Sequence, residues 1–327
     1  MNMRKLCHFL AALALLLPAL SQAAGDAGSC RYVPIAKLAI NAPPHRLPTV
    51  VGAINGKPTP MLIDTGAYQS MLVREGAERL GLALDPSGRY DYGIGGASVS
   101  YLASVNDFSV GDAHTGKMVV PVLGSLSFKP DFDAIVGADF LLQADMELSM
   151  ADGSMRFFRA SGCADTFLAY WDRDAMEIPF SGTAGNSNKP TVTVELNGVK
   201  LTAILDTGAG ATVIARHAAE RAGVRIDAPG VHKTGQSGGV GDAKVDNWVA
   251  DFKTFRIGDE TVNNPRMLIG DDPPSGIGEI DVILGDDFLR AHRVLFAMSQ
   301  RRLYLSYLGG ELFGAQQQKA EAPAKAP

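Results

Sequence analysis

Two aspartates of this chain stand in nearly the same seven-residue setting. The first stretch is Met61-Leu-Ile-Asp64-Thr-Gly-Ala67, and the second is Ala203-Ile-Leu-Asp206-Thr-Gly-Ala209. In each, an apolar run stops abruptly on Asp-Thr-Gly. A short apolar run of this kind reads as a buried strand. A carboxylate at its end must be hydrogen-bonded, paired or protonated, because burying an isolated charge is costly. The obvious partner for each aspartate is the other. Two carboxylates a few ångströms apart do not both ionise easily, so they share one proton over a wide pH range. The charged member can take a proton from a water held between them, and the neutral member can donate a hydrogen bond to a carbonyl oxygen. The chemistry on offer is hydrolysis of an amide by activated water, which requires no metal, no cofactor and no covalent intermediate.

The elements that must position these groups are themselves repeated. Asp206 follows Asp64 by 142 positions, and that offset holds without a gap from Pro48 and Pro190 to Leu82 and Val224. Pro48-Thr-Val matches Pro190-Thr-Val, Asn55-Gly56 matches Asn197-Gly198, and Ser70 faces Thr212. Ala77-Glu-Arg-Leu-Gly81 faces Ala219-Glu-Arg-Ala-Gly223. Each half therefore reads as a strand, an Asn-Gly hairpin turn, a second strand ending in Asp-Thr-Gly, and a short helix closed by Gly. Further on, Ile135-Val-Gly-Ala-Asp139-Phe-Leu141 matches Ile283-Leu-Gly-Asp-Asp287-Phe-Leu289. Between these landmarks each half carries a glycine-rich hairpin candidate: Tyr92-Gly93-Ile94-Gly95-Gly96 in the first, and Gly235 to Gly241, with Ser237, Gly238 and Gly239 at its centre, in the second.

Asp-Thr-Gly-Ala, a glycine-rich flap, and then two apolar residues before Gly and a short helix resemble the retropepsin-like aspartic proteases, once per half. The resemblance implies a mainly β chain: two tandem retropepsin/pepsin-like acid-protease β-barrel lobes, each with one short helix or two. It implies an aspartic endopeptidase with Asp64 and Asp206 as its catalytic pair, supplied by one chain as in the two lobes of pepsin-like enzymes. Thr65 and Thr207 would cross-bond the two loops. Gly66 and Gly208 would allow a tight loop with backbone N–H groups aimed at the carboxylates. Ser70 and Thr212 read as loop supports, since no Ser-His-Asp pattern surrounds them. Ala67 and Ala209 stand where pepsin-like enzymes commonly have a hydroxyl that stabilises the ionised aspartate. Their lack of one leads us to expect a pair that titrates higher than pepsin's and activity reaching toward neutral pH. The glycines at Tyr92–Gly96 and Ser237–Gly239 suit mobile flaps over an extended peptide. Asp139 and Asp287 are expected to cap their short helices, and Asp271, Asp272 and Asp286 read as solvated loop charges.

The rest of the chain frames these lobes. An apolar fraction of 46% with 20% charged residues suits a globular protein with room for two lobes in 327 residues. The net charge of −5, with no basic concentration, argues against a nucleic-acid partner. Arg4-Lys5, the apolar run Leu6 to Leu20, and Ser21-Gln-Ala23 read as a signal peptide over residues 1–23. This leads us to expect export, to the periplasm or beyond the cell. Beyond it no stretch is long and apolar enough to span a membrane. Lobe one is expected over 32–159, a junction over 160–188, lobe two over 189–308, and a disordered tail over 315–327. Cys30 and Cys163 remain after the signal. They are either a disulfide stapling the start of lobe one to its end or two free thiols. The scattered histidines show no metal-ligand spacing. The expected partner is a peptide or protein substrate, and the expected state a monomer. Two other readings stay open: a peptide-binding module that keeps the fold without catalysis, and lobes that pair with their counterparts in a second chain.

Overall fold

The computed structural model describes residues 29–183, 189–271 and 280–313. The expected signal segment 1–23, the tail 315–327 and Asp272 lie outside the described residues, as does the stretch 184–188 at the end of the expected junction. The fold is mainly β, in two repeated lobes.

Each Asn-Gly dipeptide makes the tight turn that its composition favours. Asn55 and Gly56 have φ of 51° and 76°, and Asn197 and Gly198 have φ of 51° and 82°. Two successive positive φ values match the twist of a two-residue hairpin, and Asn and Gly tolerate them best. The turns join Thr49–Ile54 to Lys57–Ile63 in lobe one, and Pro190–Leu196 to Val199–Leu205 in lobe two. The second strand of each hairpin runs into an aspartate.

The strand that follows the flap region threads in beside it. Ala134–Val136 lies parallel to Lys57–Ile63 with Ile135 opposite Leu62, and Val282–Leu284 lies parallel to Val199–Leu205 with Ile283 opposite Ile204. Each inserted strand is also antiparallel to a short one, Met71–Val73 or Val213–Ala215. The two lobe sheets have matching strand orders, from flap hairpin at one edge to a small outer hairpin at the other. Ile54, Met61, Ile63, Leu72 and Val136 in one lobe, and Leu196, Ala203, Leu284 and Phe288 in the other, are wholly buried. This packing sets the ends of the strands rigidly. Short helices Arg74–Leu80 and Arg216–Arg221 follow the Asp-Thr-Gly loops, the first ending on left-handed Gly81.

A third sheet belongs to both lobes. Its order is Arg31–Ala39, Ser154–Ser161, Asp145–Ser149, His292–Ala297, Arg302–Tyr307 and Met176–Pro179. At its centre the lobes join directly, with Met146 opposite Phe296 and Ser149 opposite Arg293. Strand Met176–Pro179 comes from the stretch expected as a junction, so that stretch contributes ordered pairing and not only a link. Cys30 and Cys163 are joined as a disulfide. They lie in a small core with Leu168, Leu295 and Tyr304, under the shared sheet. No helix among the described residues is long and apolar enough to cross a membrane.

Candidate active site

The two Asp-Thr-Gly loops meet where the lobes face each other. Their backbones are pinned from below by the inserted strands: the Asp64 N–H donates to the Val136 carbonyl at 3.0 Å, and the Asp206 N–H to the Leu284 carbonyl at 2.9 Å. They are pinned to each other by the threonines. Thr65 Oγ1 donates to the Leu205 carbonyl at 2.7 Å and accepts the Thr207 N–H at 3.1 Å. Thr207 Oγ1 donates to the Ile63 carbonyl at 2.7 Å and accepts the Thr65 N–H at 3.0 Å. Both side chains are buried.

The glycines bring the opposite carboxylate into contact with the loop. A side chain at Gly66 would overlap the Asp206 carboxylate, and one at Gly208 would overlap that of Asp64. Within its own loop, Asp64 Oδ1 accepts the Ala67 N–H at 2.8 Å, and Asp206 Oδ1 accepts the Gly208 N–H at 2.8 Å. The two carboxyl groups are near enough to act on each other's ionisation. Burial first, and then the charge of Asp206, push the Asp64 carboxyl above the usual carboxylate range. Burial also pushes Asp206 upward, opposed by the Gly208 N–H, by the Asp64 carboxyl and by the ammonium of Lys189. The site therefore holds one proton between two carboxyl groups at a pH where isolated aspartates are ionised.

Asp139 and Asp287 do not cap the helices that contain them. The caps are Gly137 and Gly285, without a side-chain bond, and the aspartates lie in the first turn. Asp139 Oδ1 accepts the backbone N–H and the hydroxyl of Ser70, both at 2.7 Å. Asp287 Oδ1 accepts the same groups of Thr212, at 2.8 and 2.6 Å. The Ser70 and Thr212 hydroxyls in turn accept the N–H groups of Gly137 and Gly285, each at 3.1 Å. These acidic residues brace the far side of each Asp-Thr-Gly loop. Asp286, expected to be a solvated charge, is buried against Arg290, which bonds it at 2.6 Å. The sequence motif places it beside Asp287, but only the packed helix turns it inward. Asp271 is half-buried, 3.7 Å from Arg216.

The hairpin candidates form the roof and touch across the lobe boundary. The first is Asp85–Gly93 and Gly96–Val105 with a tight tip, and the second is His232–Ser237 and Val245–Asp251 with a longer one. The Gly95 N–H donates to the Val240 carbonyl at 2.8 Å, and the Ala243 N–H donates to the Gly95 carbonyl at 3.1 Å. A loop of lobe one closes on the same tip. The Ser127 N–H donates to the Gly239 carbonyl at 3.0 Å, and the Gly239 N–H to Ser127 Oγ at 2.8 Å. A side chain at Gly239 would overlap that of Ile94, and one at Gly238 would overlap the Ser127 hydroxyl. Of the expected flap residues, Gly93, Ile94, Gly95, Gly238 and Gly239 lie at this meeting point. Ser237 bonds Asn247 where the strands of its hairpin enter the tip, and Tyr92 points outward, 61% exposed.

The pattern of the family described as aspartyl protease matches residues 50–140 and 192–288, together more than half of the chain. The chain belongs to the aspartyl protease family. The two matched segments each contain one Asp-Thr-Gly loop, one flap and one inserted strand, so this aspartyl protease repeats the family pattern in tandem. Among solved structures, the aspartic proteinase from Irpex lacteus is similar over 85% of this chain and 97% of its own, at 14% identity and a TM-score of 0.49. No curated protein matches.

Several participants in this aspartyl protease site were not singled out from the sequence. Ser125, Leu126 and Ser127 have no motif character, yet they hold the second flap tip. Lys189 donates to the Gly66 carbonyl at 2.7 Å, from just before the first strand of lobe two. A signal for it existed: it faces Leu47 in the repeat, immediately before the run of matched residues begins. Among the described residues no cluster of three or more His, Cys, Asp or Glu is arranged to hold a metal ion.

Proposed function

We propose that the protein is an aspartic endopeptidase that hydrolyses peptide bonds with a water activated between Asp64 and Asp206. The observation that carries this reading is the placement of the two carboxyl groups, each gripped by a backbone N–H of its own loop and each lying against the other lobe's glycine. In the resting pair one carboxyl is charged and one neutral. The charged one takes a proton from water as the water oxygen bonds to the peptide carbon. The neutral one gives its proton to the carbonyl oxygen, forming a neutral gem-diol. The newly protonated carboxyl then delivers its proton to the leaving nitrogen as the C–N bond breaks. A gem-diol proton returns to the other carboxyl, and the pair is restored.

The substrate in this reading is a peptide laid out as an extended strand under the two flaps, hydrogen-bonded through its backbone. The meeting of Gly95 with Val240 across the lobes supports closure over such a strand. Ala67 and Ala209 supply no hydroxyl to the carboxylates, and both carboxyl groups are shifted upward. Activity is therefore expected to extend to mildly acidic or near-neutral pH. We also propose that the protein is exported, on the apolar N-terminal segment and on a disulfide that suits an oxidising compartment. We propose further that it works as a monomer, since one chain supplies both loops.

The test is digestion of a diverse peptide library by the purified protein from about pH 3 to 8, with cut sites read by mass spectrometry. Internal cleavage, with activity persisting above about pH 5, is expected. A folded protein that cuts nothing across this range overturns the endopeptidase reading.

A further inference from the structure

The two halves match closely through their active-site loops, but they differ in charge immediately before the first strand of the hairpin that carries each loop. Lys189 occupies the place that Leu47 holds in the first half. Leu47 packs in an apolar cluster with Leu62, Ala67 and Val240. Lys189 is half-buried and reaches across the lobe boundary, its Nζ donating to the Gly66 carbonyl at 2.7 Å. Gly66 is the residue that lies against the Asp206 carboxylate. The ammonium is thus separated from Asp206 by a single residue of backbone. The same carbonyl belongs to the peptide whose N–H, on Ala67, bonds Asp64 Oδ1. Among the described residues this contact places one cation beside a near-symmetric pair of acids, on the side of Asp206.

We propose that Lys189 is a positioning residue that decides which aspartate carries the charge, holding Asp206 as the carboxylate that takes the water's proton and leaving the shared proton on Asp64. An opposite charge at short range favours the ionised form of its neighbour. Lys189 acts in this direction on Asp206, while the corresponding influence on Asp64 comes from the negative Asp206 and raises it. The other titratable groups bonded to these loops are Asp139 on Ser70, Asp287 on Thr212, and Tyr68 beside Asp91 of the flap. All are acidic or phenolic. Arg89 of the flap acts on Tyr68 and opposes the effect of Asp91 there. None of these supplies positive charge to the pair, so the asymmetry falls to Lys189. A fixed assignment matters because a water and a carbonyl must be oriented for one proton direction.

The inference rests on the endopeptidase reading for the direction of proton transfer, but its test does not need cleavage. Carboxyl carbon NMR follows the ionisation of Asp64 and Asp206 in the full chain, with each signal identified by its loss in the Asp→Asn variant. In the wild type Asp206 is expected to ionise in the lower step and Asp64 in the upper. Lys189→Gln keeps a donor for the Gly66 carbonyl and removes the charge; it should raise the lower step by about one pH unit. It should also spread that step over both signals. Lys189→Met should do the same, and Lys189→Arg should restore the wild-type order. The acid limb of the pH profile for kcat/KM should move with the lower step. Wild-type titration in a folded Lys189→Gln protein overturns the proposal, as does an equal displacement in Lys189→Arg. If the wild type cleaves no peptide while these titrations behave as described, the endopeptidase reading fails and the role of Lys189 in ordering the pair stands.

Discussion

Thr65 and Thr207 exchange their hydrogen bonds: each hydroxyl donates to a carbonyl of the opposite lobe and accepts the backbone N–H of the other threonine. The exchange is buried, so water cannot replace a lost partner. Replacing Thr65 by Val keeps the shape and strands the Leu205 carbonyl and the Thr207 N–H. The expected cost is about 2–4 kcal/mol in unfolding free energy, from two buried groups left unpaired. Thr65→Ser, which keeps the hydroxyl, should lose much less. Urea unfolding of the two variants measures the difference, and equal losses would contradict a hydrogen-bonding role.

The acid pair also makes stability depend on pH. Asp64 and Asp206 both have carboxyl groups raised above their unfolded values, chiefly by burial. A raised acid binds more protons folded than unfolded between its two pKa values. Its contribution is therefore fully present below the unfolded pKa of about 3.9 and is lost as pH rises through the folded value. The double variant D64N/D206N has no such groups. Its stability relative to wild type should therefore increase from about pH 4 to pH 8. Unfolding titrations at several pH values check this, and a constant difference would contradict it.

The flap contact can be weakened without touching the acids. Gly241 has φ of 98°, and a side chain there would collide with the Gly95 carbonyl. Gly241→Ala should hinder closure while leaving the lobe cores intact. Strain of about 1–2 kcal/mol at such a backbone position corresponds to roughly a tenfold fall in kcat/KM. The melting temperature should stay close to that of wild type. An unchanged kcat/KM would show that the closed contact plays no part in turnover.

The parts of this molecule that could be read from its residues are those set by local chemistry or by repetition. Asn55-Gly56 and Asn197-Gly198 announce their turns because few other residue pairs accept two positive φ values. The apolar runs ending at Asp64 and Asp206 announce buried strands, and their duplication announces two lobes. What escaped depends on distant pairing. The sheet that joins Asp145–Ser149 to His292–Ala297 is built from the strands that follow the Phe-Leu helix of each half, whose residues share no motif to mark them. Asp139 and Asp287 were visible as a repeated pair, but the loop each one braces becomes apparent only once Ser70 and Thr212 are folded against it. Asp286 shows the opposite error. In sequence it is one more charge in an acidic run, and its burial follows from a helix that is itself buried beside Arg290. The pairing of Cys30 with Cys163 was open for the same reason, since only the shared sheet brings the two together.

The central claim is that Asp64 and Asp206 of one chain form one catalytic pair. The direct measurement is peptide cleavage by Asp64→Asn and Asp206→Asn, each alone and then mixed in equal amounts. Each variant alone should lose activity by at least about 10²-fold, as expected when an acid or base is removed, and the mixture should stay as inactive as its components. Recovery of activity on mixing would show that the pair forms between chains, and full activity in either single variant would show that the two aspartates do not act together.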